Sequence, residues 1–180
     1  ALAAAADPLA QALAAAGARI VQGLCQGRVL AVHAEAARLV AGGQPAAAWL
    51  DEALRAGGFA TRFAAPFVAG DTVLPIARAL ATGRAVRFAH DGRTGEGTVV
   101  DASSGSVTLR VPSPGGVTFP TLPRTRVEPV DASGDEAIEM AFAALQVGDV
   151  VLARLWAAVA GSRLGAARPE RAQRLLQLLG

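Results

Sequence analysis

The sequence predicts an α/β fold: a three-layer, mainly parallel sheet flanked by helices, in a single domain covering 1–180. Three observations carry that prediction. Apolar residues recur at helical spacing early in the chain. A helix–Gly–strand junction occurs three times, at 25–30, 55–60 and 81–86. The junctions stand about 30 residues apart, the length of a βα unit. Strands separated by whole helices need crossover connections and therefore pair in parallel.

The elements run in order along the chain. Asp7 before Pro8 is a helix start, because Asp accepts from orphan amides and Pro at the first helical position loses no hydrogen bond. Leu9, Leu13, Ile20 and Leu24 then mark the buried face of a helix over 8–26, which Gly27 ends. The largely apolar run 28–33 reads as a strand covered on both faces. A helix over 34–41 stops at Gly42-Gly43, and a third begins near Pro45, carries Trp49, Leu50 and Leu54, and ends at Gly57-Gly58. Residues 59–64 read as the next strand.

From 84 to 130 the composition shifts to Gly, Ser, Thr, Pro and Val. Short strands are expected at 85–89, 97–102, 107–111, 117–119 and 126–130, separated by turns at Asp91-Gly92, Ser104-Gly105 and Pro114-Gly115-Gly116. Two readings stand: an inserted β-meander or small barrel of the Sm or SH3 sort, or the last strands of the main sheet with their loops. Ser133-Gly134-Asp135-Glu136 is a capping box opening a helix with Ile138, Phe142 and Leu145 on its buried stripe, closed by Gly148. The run 150–159 reads as a strand entering a helix or as helix throughout. Arg168-Pro169-Glu170 starts a C-terminal amphipathic helix over 168–180. Its Leu175, Leu176, Leu178 and Leu179 offer a homo-oligomer or protein-partner contact, or pack on the chain's own core.

Composition narrows the function classes. Just over half of the residues are apolar (52%) and 18% are charged, which excludes a disordered chain. All 17 basic residues are Arg, a pattern expected of a GC-rich bacterial genome, and the formal net charge of +2 gives nucleic-acid binding no support. With Cys25 as the single cysteine there is neither an internal disulfide nor a thiolate metal cluster, which fits a cytoplasmic protein. No stretch has the length and bulk of a membrane span. Walker and dinucleotide-binding glycine motifs and a Gly-x-Ser-x-Gly nucleophile elbow are missing, so no cofactor is expected.

In open parallel sheets ligands bind beyond the carboxyl ends of the strands. Both histidines fall at such expected ends, each with a carboxylate close behind: His33 with Glu35, and His90 with Asp91. Were the two strands neighbours, two imidazoles and two acids would share one crevice, enough for acid–base work near neutral pH or for a metal. In that reading one histidine is acid or base, its carboxylate orients it, and Arg93 meets an anion. Gly92-Arg93-Thr94-Gly95-Glu96-Gly97 looks like a ligand loop, but a plain hairpin turn accounts for it better.

The strand at 28–33, Gly70-Asp71-Thr72-Val73-Leu74-Pro75-Ile76, Gly83-Arg84-Ala85-Val86-Arg87-Phe88 and Val107-Thr108-Leu109-Arg110-Val111-Pro112 together resemble the sugar isomerase (SIS) phosphosugar-binding domains over 10–115. The family's Gly/Ser-rich first loop and its Ser-Thr-Ser-Gly phosphate loop are replaced here by His33-Ala34-Glu35-Ala36 and Ala77-Arg78-Ala79-Leu80. The resemblance implies a doubly wound domain that binds a small polar or phosphorylated metabolite without the family's usual grip and without a complete catalytic apparatus. The alternatives are a non-enzymatic interaction or assembly component, and an RNA-binding barrel at 84–130.

Overall fold

The computed structural model describes residues 8–41, 50, 53–59, 74–165 and 169–179. Among the described residues, helices α1 (Pro8–Cys25) and α2 (Val29–Ala41) and a further helical stretch at 53–56 precede six strands: β1 (Ala85–His90), β2 (Arg93–Ala102), β3 (Ser106–Ser113), β4 (Gly116–Thr118), β5 (Thr121–Pro123) and β6 (Val127–Pro129). Three helices close the chain, α3 (Gly134–Gln146), α4 (Val150–Leu164) and α5 (Glu170–Leu179). The sheet runs β4-β3-β2-β1-β6, with β5 also on β3, and every pairing is antiparallel. The expected mainly parallel sheet is therefore corrected to an open antiparallel sheet packed with helices.

The junctions that suggested a parallel repeat explain the error. After α1, the Arg28 N–H bonds the Gly23 carbonyl at 2.8 Å and the Gly27 N–H bonds that of Leu24 at 3.0 Å, with Gly27 at φ +67°. That is a Schellman helix stop. The same pair of bonds recurs from Phe59 to Leu54 and Gly58 to Arg55, and from Asp149 to Ala144 and Gly148 to Leu145. A helix stop does not dictate the next element. After Gly27 comes another helix, because Val29, Val32 and Ala36 continue a buried stripe at helical spacing while Ala31, Ala34 and Ala37 face solvent. The strand expected at 28–33 is thus the first turns of α2, and 34–41 is its continuation. At Gly83 no helix precedes the turn at all, since 74–80 is irregular. Most of the strand expected at 59–64, most of the helix near Pro45 and most of the Gly70–Ile76 stretch lie outside the described residues.

Between 84 and 130 each expected strand is found, but β2 begins earlier, at Arg93, and β5 (Thr121–Pro123) was not expected. Asp91 and Gly92 both take positive φ, 48° and 72°, and close a two-residue β1–β2 hairpin in which His90 faces Arg93. Both central residues left-handed is the I′ turn that matches strand twist. The Ser103 hydroxyl accepts from the Gly105 and Ser106 amides at 3.2 and 3.0 Å and shapes the β2–β3 turn. β4 and β5 share one edge of β3, interrupted at Pro120, whose carbonyl accepts from Leu109. A 3₁₀ turn at Arg124–Arg126 then returns the chain so that β6 pairs with β1.

Two apolar cores result. Leu80, Val86, Val99, Val107, Leu109, Leu122 and Val127 fill one side of the sheet. The helices build the larger core, with Ile20, Leu24, Phe142 and Trp156 fully buried in it. The capping box is present, Ser133 and Glu136 bonding each other's amides. α4 is helix throughout and buries every residue from Leu152 to Ala160. The seam between the cores is charged. Arg84 pairs with Glu136 at 2.7 Å and donates to the Val130 carbonyl at 2.5 Å. Arg124, 1% exposed, donates to Met140 Sδ and to the Arg78 carbonyl. Burial lowers the Arg124 pKa to about 10, although Glu139 and Glu136 oppose that shift.

Where α1 meets α2, glycine makes room. A Cβ on Gly23 would lie 2.4 Å from Val32 Cγ2, whereas one on Gly161 in α4 would meet nothing within 4 Å. Gly23→Ala should destabilise the fold by about 1–3 kcal/mol through overpacking. Gly161→Ala should stabilise it by about 0.5–1 kcal/mol through helix propensity. Urea unfolding of both variants beside the parent chain checks the contrast; equal effects would contradict the packing described.

Candidate functional site

The residues singled out from the sequence fall into separate places. His33 sits on α2, where Nε2 lies 2.9 Å from Asp149 Oδ2 and 3.1 Å from Oδ1. Asp149 is also the N-cap of α4, accepting from the Leu152 N–H at 3.0 Å. Desolvation pushes the Asp149 carboxyl up, but the hydrogen bonds from His33 and Leu152 prevail and hold it below the usual range. Glu35 lies between Arg19, at 3.0 Å, and Arg38, one turn on. His90 and Asp91 pair with each other at 3.2 Å on the exposed hairpin tip. Asp91 is there for its left-handed backbone, a conformation that short polar side chains tolerate. Arg93 is exposed on the same tip.

Among the described residues no hydrogen bond or ion pair joins the His33 group to the His90 group, and no cluster of three or more His, Cys, Asp or Glu is placed to hold a metal. The leucines of α5 are used internally: Leu175, Leu178 and Leu179 are buried in the helical core. No described helix is long and apolar enough to cross a membrane.

A different set of residues forms a cavity of about 400 Å³ between the N-terminus of α2 and the β1–β2 hairpin. Its walls include Arg28 just before α2, Leu30 and Ala31 from α2, Arg87, Phe88 and Ala89 from β1, and Thr94, Gly95 and Glu96 from β2, with Glu128 of β6 beside them. Room exists because several of these side chains are small. A Cβ on Gly95 would come within 2.7 Å of the Phe88 ring that lies across it, so this wall stays shallow.

The polar centre of the cavity is Glu128, whose side chain is 5% exposed. The β1 register places Arg87 directly between Glu96 on β2 and Glu128 on β6. Glu128 Oε1 lies 3.5 Å from Arg87 Nε, and Oε2 accepts from the Leu30 N–H at 2.8 Å. Thus the carboxylate of a strand caps the exposed amides of a helix, where the dipole favours negative charge. Burial nevertheless dominates and pushes its pKa above the ordinary glutamate value, against the Leu30 hydrogen bond and the Arg87 charge. Arg87 Nε is buried without a well-formed hydrogen bond. The Arg28 guanidinium is exposed and makes no ion pair among the described residues. Near Gly27 the Arg87 and Arg163 guanidinium groups come together, 3.9 and 3.4 Å from where its Cβ would be.

Sequence reasoning missed this cavity because Arg28, Arg87 and Glu128 form no local motif. One signal was available: Glu128 between Val127 and Pro129, an acid inside a buried strand, which calls for a partner. No protein-family model, no curated protein and no solved structure matches this chain.

Titration should expose these carboxylates with opposite signs. The Glu136 carboxyl is pushed up by burial, but Arg84 and Ser133 prevail and hold it low, as His33 and Leu152 do for Asp149. Their stabilisation is present above the usual carboxylate range and is lost as pH falls through the depressed values. Glu128 is raised, so its contribution is fully favourable below the ordinary glutamate value and declines as pH rises through the raised one. Glu136→Gln keeps the cap but loses the charge pair, costing about 1 kcal/mol or less near neutral pH and nothing in strong acid. Glu128→Gln should remove the decline on the higher-pH side. Stability measured by urea unfolding across pH tests both signs; an unchanged acid limb in Glu136→Gln would contradict the first.

Proposed function

We propose that this protein binds a small polar ligand carrying a phosphate or carboxylate group, in the cavity between α2 and the β1–β2 hairpin. The observation that carries this reading is that Arg28, exposed, and Arg87, mostly buried, both line a cavity of about 400 Å³. That volume lies in the range of small-metabolite sites. Guanidinium groups give an oxyanion paired, directional hydrogen bonds. The amino end of α2 adds favourable potential for the same charge. Leu30, Ala31, Phe88 and Ala89 offer apolar surface to the body of the ligand, and Glu96 and Thr94 can take its hydroxyl or amine donors.

His33 and Glu35 have no part in this reading, because Asp149 and two arginines already engage them. Arg93 adjoins Thr94 and stands near the rim, where it adds to the field. Assembly through the C-terminal helix has less support, since three of its four leucines already pack inside the chain.

The test is thermal-shift and calorimetric titration with sulfate, inorganic phosphate and a panel of phosphate monoesters and dicarboxylates. Arg28→Gln should weaken binding about tenfold, the value of one charge-assisted hydrogen bond, while leaving the unliganded melting temperature nearly unchanged. Arg87→Gln should weaken binding at least as much, but it strips a buried carboxylate of its partner and lowers stability as well. Binding that is indifferent to Arg28 would remove the cavity from consideration.

A further inference from the structure

Glu128 occupies the place an incoming anion would want. Its Oε2 is held by an α2 amide and its Oε1 faces Arg87, the innermost cation of the cavity. Two anions would then share one guanidinium, with little water to screen them. From this geometry we propose that ligand binding here is coupled to a proton: as the ligand's anionic group takes Arg87, Oε1 of Glu128 is protonated from solvent. This deepens the proposal of an anion-binding cavity and rests on it.

The groups around Glu128 support that assignment. Arg87 faces it from β1, Arg28 and the first amides of α2 face it from the helix, and Glu96 lies on the far side of Arg87 on β2. Arg163 of α4 approaches Arg87 near Gly27 but donates to the Ala132 carbonyl. When Arg87 turns to the ligand, the Leu30 N–H stays on Oε2, so Oε1 is the oxygen left without a counter-charge. Burial already makes the neutral acid easier to reach than for a surface glutamate. The step breaks no covalent bond in the ligand; one proton moves from hydronium or buffer acid to a carboxylate oxygen, and the conjugate base stays in solution. His90 and Asp91, at the tip of the hairpin that walls the cavity, pair with each other.

Sulfate is the suitable probe, because it stays doubly charged from about pH 5 to about pH 8, so any pH dependence belongs to the protein. One coupled proton makes affinity fall by up to about tenfold per pH unit above the folded pKa of Glu128. Glu128→Gln resembles the protonated acid, so it should bind sulfate with no slope over this range and about tenfold tighter than the parent chain at the upper end. His90→Gln should leave the parent slope in place. A parent chain that binds sulfate through Arg28 with flat affinity, matched by Glu128→Gln, would overturn the coupling while keeping the cavity as an anion site. No Arg28-dependent binding by either protein at any pH would overturn the cavity reading itself. Should Glu128→Gln fail to fold, calorimetry of the parent chain in buffers of differing ionisation enthalpy decides: uptake near one proton per sulfate supports the coupling, and no uptake overturns it.

Discussion

The carboxylate of Glu128 lies where a sheet meets a helical bundle, and much of the molecule is arranged to keep it there. It projects from β6, which comes after the 3₁₀ turn at Arg124–Arg126, pairs with β1 and so brings Arg87 alongside. It accepts from the first turn of α2, the helix whose Val29 and Val32 enter the helical core. An ion buried this deeply costs several kcal/mol unless it is paired and hydrogen-bonded, so the two layers have little freedom to slide without exposing or orphaning it. Apolar packing makes each core separately. Polar contacts across the seam, Glu128 with the Leu30 N–H and Glu136 with Arg84, set how the cores fit together.

That division explains how much of the fold was legible in the sequence. Local chemistry is written locally: Asp91-Gly92, the Ser103 turn and the Ser133–Glu136 box each specify their own few residues, and each is found as expected. The glycines at Gly27 and Gly57-Gly58 were also legible as helix stops. What they could not specify was the element beyond the stop. The run Val29-Leu30-Ala31-Val32-His33 is apolar enough for a covered strand, and only the continuation of its stripe to Ala36 makes it a helix. Once that segment is helical, it cannot pair in parallel with β1, and the inferred crossover topology goes with it.

The histidines were legible as chemistry but not as a constellation. Their expected meeting depended on two neighbouring strand ends, whereas His33 rides on a helix and is engaged by its hydrogen bond with Asp149. Arg28, Arg87 and Glu128 come together instead through pairings far apart in the chain. A single buried acid in β6 hinted that something must meet it, but nothing nearby named the partners. The polar residue in a covered strand therefore points to this cavity, which the two histidines do not line.

The interruption at Pro120 bears on the protein's behaviour at high concentration. The outer border of the sheet consists of two three-residue pieces, Gly116–Thr118 and Thr121–Pro123, with proline between them and at the end. Although Val117 and Phe119 are exposed along it, neither piece offers a long row of unsatisfied amides to a foreign strand. The chain can thus carry sticky side chains on this rim while denying them the backbone ladder from which fibrils grow.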